Sequence, residues 1–290
     1  MSFTAPIDNP IEIATERYAA IVGATPSKGA RSPLLWNAAF RAAGIDAVMH
    51  PMDTRPEMLG EVIAALKADP RYVGGAIAVP HKQTVGAFLD RLEPEAERIG
   101  AVNAIYRDGD HLVGANTDGA GALSQIETLV GGPDALRGMR ATLIGLGGAG
   151  VAVAAYLAGR TASLTLANRS RAATNAAAEK LGAIAVDYPL SPEVLEATDL
   201  LVNATTVGHQ DGQAGSPVAE SLLETLPDDA AVYDVIYQPR ETPLLAAAKA
   251  RGLKTLDGLG MNLDQAVIAF DKAVPGVLSL DQIREAMRAA

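Results

Sequence analysis

Short apolar runs alternate with longer segments of helical periodicity over most of the chain, and glycine or proline punctuates most of the changes. Ala19-Ala20-Ile21-Val22 reads as a strand that breaks at Gly23 into a polar loop, Thr25 to Ser32. Pro33 stands where a helix accepts proline in its first turn, with Ser32 as the expected N-cap, and Gly44 stops that helix after about Ala43. Asp46 to Met52 is predicted extended, Pro56 to Ala68 helical, and Tyr72 to Val79 a strand ended by Pro80. Short helical pieces follow around Val85–Leu89 and Pro94–Arg98. Val102 to Tyr106 and His111 to Ala115 then read as strands joined by a hairpin turn at Arg107-Asp108-Gly109-Asp110, which carries the Asp-Gly signal.

A helix from Ala120 to Leu129 leads into the second half, where the alternation is more regular. Strands are predicted at 141–144, 163–167, 183–186, 199–203, 231–236 and 253–256, with helices at 151–157, 172–181, 192–196 and 243–250 between them. Gly258-Leu259-Gly260-Met261 opens a further helix to about Lys272, and Ser279 with Gln282 forms a capping box for a last one. The whole pattern is that of an α/β protein.

One junction carries chemistry. The apolar run Ala141 to Ile144 enters Gly145-Leu146-Gly147-Gly148-Ala149-Gly150 and an alanine-rich helix leaves it. Glycines at 145, 147 and 150 have the G-x-G-x-x-G spacing of a dinucleotide-binding turn, in the strand–turn–helix setting that motif requires. The pyrophosphate of such a ligand sits on the unsatisfied N–H groups of the helix start, so Gly145, Gly147, Gly148 and Ala149 are candidate cofactor contacts. A glycine turn with no ligand is the plainer reading. An NAD site usually places a carboxylate about 20 residues past the first glycine. Here Asn168-Arg169-Ser170 follows the next strand, with no acid until Glu179. A guanidinium matches a 2′-phosphate, so NADP is expected and NAD disfavoured; the alternative is a solvated helix start.

Composition narrows the classes. The chain has 290 residues, room for two domains, with 49% hydrophobic and 20% charged residues. A net charge of -10 argues against nucleic acid and anionic membrane as partners. There is no cysteine, and the four histidines are scattered, so no metal site is expected. With no apolar stretch of spanning length and no leader pattern, a cytoplasmic protein is expected.

In the first half, polar residues gather at strand ends, which makes Lys82, Asn103, Asn116 and Asp118 a convergent group. Several separated motifs then line up: Pro80-His81-Lys82, Gly100-Ala101-Val102-Asn103, Gly114-Ala115-Asn116-Thr117-Asp118-Gly119, the glycine turn, Asn168-Arg169-Ser170, Asn203-Ala204-Thr205, Tyr233-Asp234-Val235-Ile236-Tyr237, and Gly258-Leu259-Gly260-Met261 with Gln265. In this order they resemble the shikimate dehydrogenase family over nearly the full length. The resemblance implies a two-domain α/β protein: a substrate-binding catalytic domain at 1–118, a Rossmann-type NADP-binding domain at 119–258, and C-terminal helices at 259–290 packing back on the first. It also implies reversible hydride transfer between NADPH and a ring ketone, 3-dehydroshikimate giving shikimate, an activity of aromatic amino acid biosynthesis. By the same resemblance Lys82 and Asp118 are the catalytic pair, and Ser32, Arg31, Asn103 and Gln265 serve the substrate. Thr205, Ser170, Ile236 and Met261 join the cofactor contacts. The partner implied is a small cyclic hydroxy acid, bound by a monomer or homodimer.

Read without the family, Lys82 and Asp118 fit an ordinary salt bridge, Asn103 and Asn116-Thr117-Asp118 fit turns, and Gln265 fits a surface amide. The chain also departs from the family pattern. Where a Ser-x-Ser-Pro stretch usually binds the substrate carboxylate, it has Ala30-Arg31-Ser32-Pro33; Ala76, Ala78 and Ala104 stand where the family carries amide or hydroxyl side chains. Three readings therefore stand: a shikimate dehydrogenase whose carboxylate site uses Arg31 or Lys28, a paralogue acting on quinate, an aminoshikimate or another cyclic hydroxy acid, and a non-catalytic NADP-binding sensor.

Overall fold

The predicted strand at Ala19–Val22 becomes β1 (Arg17–Gly23), buried from Tyr18 to Gly23. Its side chains alternate between two cores: Tyr18, Ala20 and Val22 enter one cluster, Ala19 and Ile21 another. A strand covered on both faces reads as a continuous apolar run, which is why it stood out in the sequence. There follow α1 (Ser32–Ala42), β2 (Ala47–Asp53), α2 (Leu59–Ala68), β3 (Tyr72–Ile77), β4 (Arg91–Leu92), α3 (Pro94–Ile99), β5 (Ala104–Asp108) and β6 (His111–Ala115). The sheet order is β2-β1-β3-β5-β6-β4, with β1 parallel to β2 and β3, and β5 antiparallel to β3 and β6. The computed structural model describes residues 6–290.

Three local expectations are corrected. Ser32 is not the N-cap of α1: Arg31 holds that position with helical φ −74° and ψ −24°, and no side chain caps the helix. The backbone is already helical one residue earlier, so Ser32 lies within the first turn. The hairpin turn is shorter than expected, because Asp108 pairs with His111 and only Gly109 and Asp110 remain between the strands. Gly109 takes φ 59°, the positive value a two-residue hairpin turn favours. The helix expected from Ala120 starts at Asp118.

The second half holds α4 (Asp118–Val130), α5 (Pro133–Arg137), β7 (Arg140–Ile144), α6 (Gly148–Leu157), β8 (Ser163–Ala167), α7 (Arg171–Leu181), β9 (Ile184–Val186), α8 (Pro192–Glu196), β10 (Leu200–Asn203), α9 (Glu220–Leu223), β11 (Ala231–Asp234), α10 (Pro243–Ala250) and β12 (Lys254–Leu256). All six strands run parallel in the order β9-β8-β7-β10-β11-β12. Numbered from β7, that is the doubly wound order 3-2-1-4-5-6, whose direction of winding reverses between β7 and β10. Two helices complete the chain, α11 (Leu259–Ala273) and α12 (Leu280–Arg288). The predicted capping box is present, with Gln282 N–H donating to Ser279 Oγ and Ser279 N–H donating to Gln282 Oε1 at 2.9 Å.

The chain divides into two units: the described residues up to Thr117 with Leu263–Ala290, and Asp118–Asn262. In the first, Phe270 of α11 packs on Trp36 and Phe40 of α1 at ring-centroid distances of 5.3 and 5.1 Å. Arg284 of α12 pairs with the buried Asp264 at 3.0 Å, fixing α12 to α11 beside Gln265. No helix among the described residues is long and apolar enough to cross a membrane, and none of them form a cluster of three or more metal-ligating side chains.

Candidate active site

In the unit Asp118–Asn262, the chain leaves β7 through Gly145, at φ 99°. A Cβ there would lie 2.8 Å from the Ala204 carbonyl and from Thr205 Cγ2, and a Cβ on Gly150 would lie 2.1 Å from the Gly145 carbonyl oxygen. Glycine is required at both by close approach. Gly147 differs, since a Cβ on it meets nothing within 4 Å. It precedes the first turn of α6, whose N–H groups receive no side-chain cap. Above this turn lies a cleft of about 440 Å³ at the reversal point between β7 and β10. Its walls include Gly145, Gly147, Asn168, Arg169, Thr205 and Tyr188.

The structure thus brings together five of the expected cofactor residues, with Gly148 and Ala149 opening α6 beside them. Ser170 is placed next to the cleft but caps α7, accepting from Ala173 N–H at 3.3 Å. Ile236 is buried and Met261 belongs to the unit's core, and neither lines this cleft. Sequence reading missed Tyr188, Gln213 and Ser216 on the opposite wall. Tyr188 donates its hydroxyl to the Pro217 carbonyl at 2.9 Å, which holds the segment after β9 to the loop after β10. Only the three glycines of 208–216 hinted at a loop there.

Behind Thr205 sits a fully buried polar chain. Asn203 donates to Asp234 Oδ1 at 3.0 Å and accepts from Thr205 N–H at 3.0 Å and Thr205 Oγ at 2.7 Å. Asp234 also accepts from Ile236 N–H at 3.0 Å and Thr242 Oγ at 2.8 Å. Burial pushes its carboxyl up to about 6, with Asp257 adding to the rise, while its three donors oppose the shift.

In the other unit, the turn after β3 contains a cis Val79-Pro80 bond and a 3-10 segment, His81–Gln83. His81 is buried and its Nε2–H donates to the Thr54 carbonyl at 2.8 Å. The Lys82 carbonyl accepts from Val102 N–H at 2.7 Å, so the turn is held at both ends and the place of Lys82 is fixed. Asn103 precedes β5 and is 1% exposed. It donates to Thr117 Oγ at 3.0 Å and Gln265 Oε1 at 3.2 Å, and accepts from Thr117 N–H at 2.7 Å. Thr117 in turn donates to the Gln265 carbonyl at 3.0 Å. Neither Asn103 nor Gln265 is a surface group. Asn116 donates to the Ala101 carbonyl at 3.0 Å. Asp118 follows at once as the first residue of α4, also buried, where a carboxylate suits the helix dipole.

Ser32 and Arg31 stand at the start of α1, Ser32 buried and Arg31 half-buried. Ala76 and Ala104 pair across β3 and β5 and belong to the core cluster on the α1–α11 side, with Ala30 and Ala78 packed against it. The four methyl groups noted in the sequence therefore all belong to, or pack against, one apolar cluster. The loop before α1 is tied from below, since Asp53 accepts from Ser27 N–H at 2.9 Å and its own N–H donates to Asn9 Oδ1 at 2.7 Å.

A family model described as the shikimate dehydrogenase substrate binding domain matches residues 22–105. The chain is 38% identical over 246 residues to shikimate dehydrogenase (NADP(+)) of Gluconobacter oxydans, covering 84% of this chain and 86% of that one. It superposes on shikimate 5-dehydrogenase of Thermus thermophilus, solved in complex with NADP(H) and shikimate, with TM-score 0.80, 31% identity, and coverage of 94% and 99%. It also superposes on quinate dehydrogenase from Corynebacterium glutamicum, solved in complex with NAD, with TM-score 0.83, 29% identity, and coverage of 95% and 99%.

Proposed function

Because this chain belongs to the shikimate dehydrogenase family, we propose that it is an NADP-dependent oxidoreductase interconverting a ring ketone and a ring hydroxyl, with 3-dehydroshikimate and shikimate as the leading pair. The observation that carries this reading is the buried Asn103–Thr117–Gln265 cluster, built from residues far apart in sequence and set beside the segments that hold Lys82 and Asp118. In our reading the unit ending at Thr117, with the C-terminal helices, binds substrate, and Asp118–Asn262 binds the cofactor. We place it in the cytoplasm as a soluble monomer or homodimer.

The cleft beside β7 suits NADP. An uncapped helix start and open space over Gly147 suit a pyrophosphate, and Arg169 with Asn168 suits a 2′-phosphate. NADPH when bound supplies the hydride. As the ketone carbon is reduced, negative charge grows on its oxygen, and the Lys82 ammonium neutralises it and holds the proton that the oxygen takes up. By the family resemblance, Asp118 is the second member of the catalytic pair and accepts from the neighbouring ring hydroxyl. Asn103 and Gln265 present amide groups to the remaining ring oxygens, and Ser32 and Arg31 hold the carboxylate.

Alanine at positions 30, 76, 78 and 104, all in or against one apolar cluster, favours a second reading, a paralogue whose substrate is a different cyclic hydroxy acid. The quinate dehydrogenase among the similar structures shows that this fold serves such a substrate. Steady-state turnover with shikimate, quinate, an aminoshikimate and less hydroxylated ring acids, each with NADP and NAD, separates the readings. No turnover with any of them, alongside intact NADP binding, would leave the non-catalytic sensor standing.

A further inference from the structure

Asp234, in the stretch Tyr233-Asp234-Val235-Ile236-Tyr237, is given no role in the chemistry above, yet its carboxylate is wholly buried at the end of β11. An ionised carboxylate only accepts hydrogen bonds. Its Oδ1 faces the Asn203 amide, so Asn203 must turn its NH₂ toward Asp234 and its oxygen toward Thr205. That oxygen takes both the Thr205 N–H and the Thr205 hydroxyl proton. The Thr205 oxygen in turn accepts from Val207 N–H at 3.1 Å, which fixes the rotamer. Thr205 Cγ2 is thereby pressed against the glycine turn, within 2.8 Å of where a Cβ on Gly145 would stand.

We propose that Asp234 is a positioning residue of the cofactor cleft: through Asn203 it fixes Thr205 against the Gly145 turn, and so shapes a phosphate-binding turn that it does not touch. The proposal rests on the reading that this cleft takes NADP(H). A merely structural staple between β10, β11 and α10 would use the same bonds, but the two roles respond differently to Asp234→Asn. The buried carboxylate is costly to keep ionised at neutral pH, as its raised pKa shows, so a neutral isostere is tolerated by the fold. The Asn203 orientation suffers instead. A neutral acceptor holds the Asn203 amide more weakly, and an amide at 234 presents either end to it.

The test measures binding of NADP and NAD by titration, and the melting temperature of the cofactor-free full chain, for wild type, Asp234→Asn and Thr205→Val. For Asp234→Asn, the dissociation constants of both cofactors are expected to rise about 5- to 30-fold, the difference between a charged and a neutral acceptor. Its melting temperature is expected to hold or increase, and KM for the ring substrate to stay unchanged. Thr205→Val, which removes the hydroxyl donated to Asn203, is expected to weaken both cofactors in the same direction. Unchanged affinity in either variant overturns the proposal, as does an Asp234→Asn chain that unfolds or loses affinity only in step with stability. A wild type that binds neither cofactor overturns the underlying reading of the cleft, and the proposal with it.

Discussion

The two units build their sites in different ways. The cleft beside β7 is made mostly of backbone: a glycine at positive φ, a glycine packed against a carbonyl, and a helix start with bare N–H groups. The cluster in the other unit is made of side chains, and its longest link, Asn103 to Gln265, spans 162 positions of sequence. A backbone site tolerates little change in which residues are glycine, and the contacts that demand glycine at Gly145 come from the neighbouring strand end at Ala204 and Thr205. A side-chain site depends on α11 lying where Trp36, Phe40 and Phe270 hold it. The first kind suits an invariant group such as a pyrophosphate, and the second lets substrate choice change without disturbing the sheet.

The largest expected effect falls on the side-chain site. Lys82→Ala is expected to lower kcat by about 10²- to 10⁴-fold, as for a lost general acid–base group. NADP binding, measured by titration, is expected to stay intact, because the glycine turn lies in the other unit. A variant retaining more than about a tenth of kcat would remove Lys82 from the chemistry.

Next come two glycine substitutions that divide the backbone site. Gly150→Ala puts a Cβ against the Gly145 carbonyl, so both the fold of the turn and NADP binding are expected to fail. Gly147→Ala has open space and an ordinary φ of −71°, so stability should stay within about 0.5 kcal/mol. Gly147 nevertheless lines the cleft, so an added methyl there should weaken NADP. Equal binding by Gly147→Ala and wild type would move the pyrophosphate elsewhere.

Arg169→Ala is expected to raise KM for NADP about 10- to 150-fold, the worth of hydrogen bonds to a charged group, with little change for NAD. Equal effects on both cofactors would leave Arg169 a structural residue only. At the apolar cluster, Ala30→Ser with Ala78→Thr is expected to raise kcat/KM for shikimate about 10-fold, one charged hydrogen bond's worth, if those methyl groups are what weakens recognition. A wild type already efficient with shikimate, and unimproved by the pair, would assign the carboxylate to Arg31 or Lys28 instead.

The last effect is on stability. Asp234 has a folded pKa near 6, above the ordinary carboxylate value, so the folded chain binds the proton more tightly than the unfolded one. Its contribution is favourable at low pH and is lost as pH rises from about 4 through 6, by at most about 3 kcal/mol. Asp69 and Asp199 act oppositely: Arg71 and Arg140 hold their carboxyls below the usual range, so their contribution disappears in acid. Melting temperatures of wild type and Asp234→Asn across pH 4 to 8 isolate the Asp234 part. The difference should move in favour of the variant as pH rises, and a parallel pair of curves would show that Asp234 titrates as an ordinary carboxyl.

What the sequence determined by itself was whatever depends on neighbours along the chain. The apolar run into Gly145-Leu146-Gly147, the placement of Asn168-Arg169 after the next strand and the Ser279–Gln282 capping box are all local, and spacing is enough to specify them. Element boundaries followed less closely where backbone geometry decides them, as at Arg31 and at the two-residue turn of Gly109 and Asp110. Tertiary structure alone decided that Asn103 and Gln265 face each other, that Ala76 and Ala104 pair across β3 and β5, and that Tyr188 walls the cleft. It also alone joined Asp234 to Thr205 through Asn203. The physical reason is that a hydrogen bond or a methyl contact has a reach of a few ångströms, whereas parallel strands are joined by whole helices. Residues from adjacent strands therefore meet only after the sheet has set their register, which no spacing within one segment records.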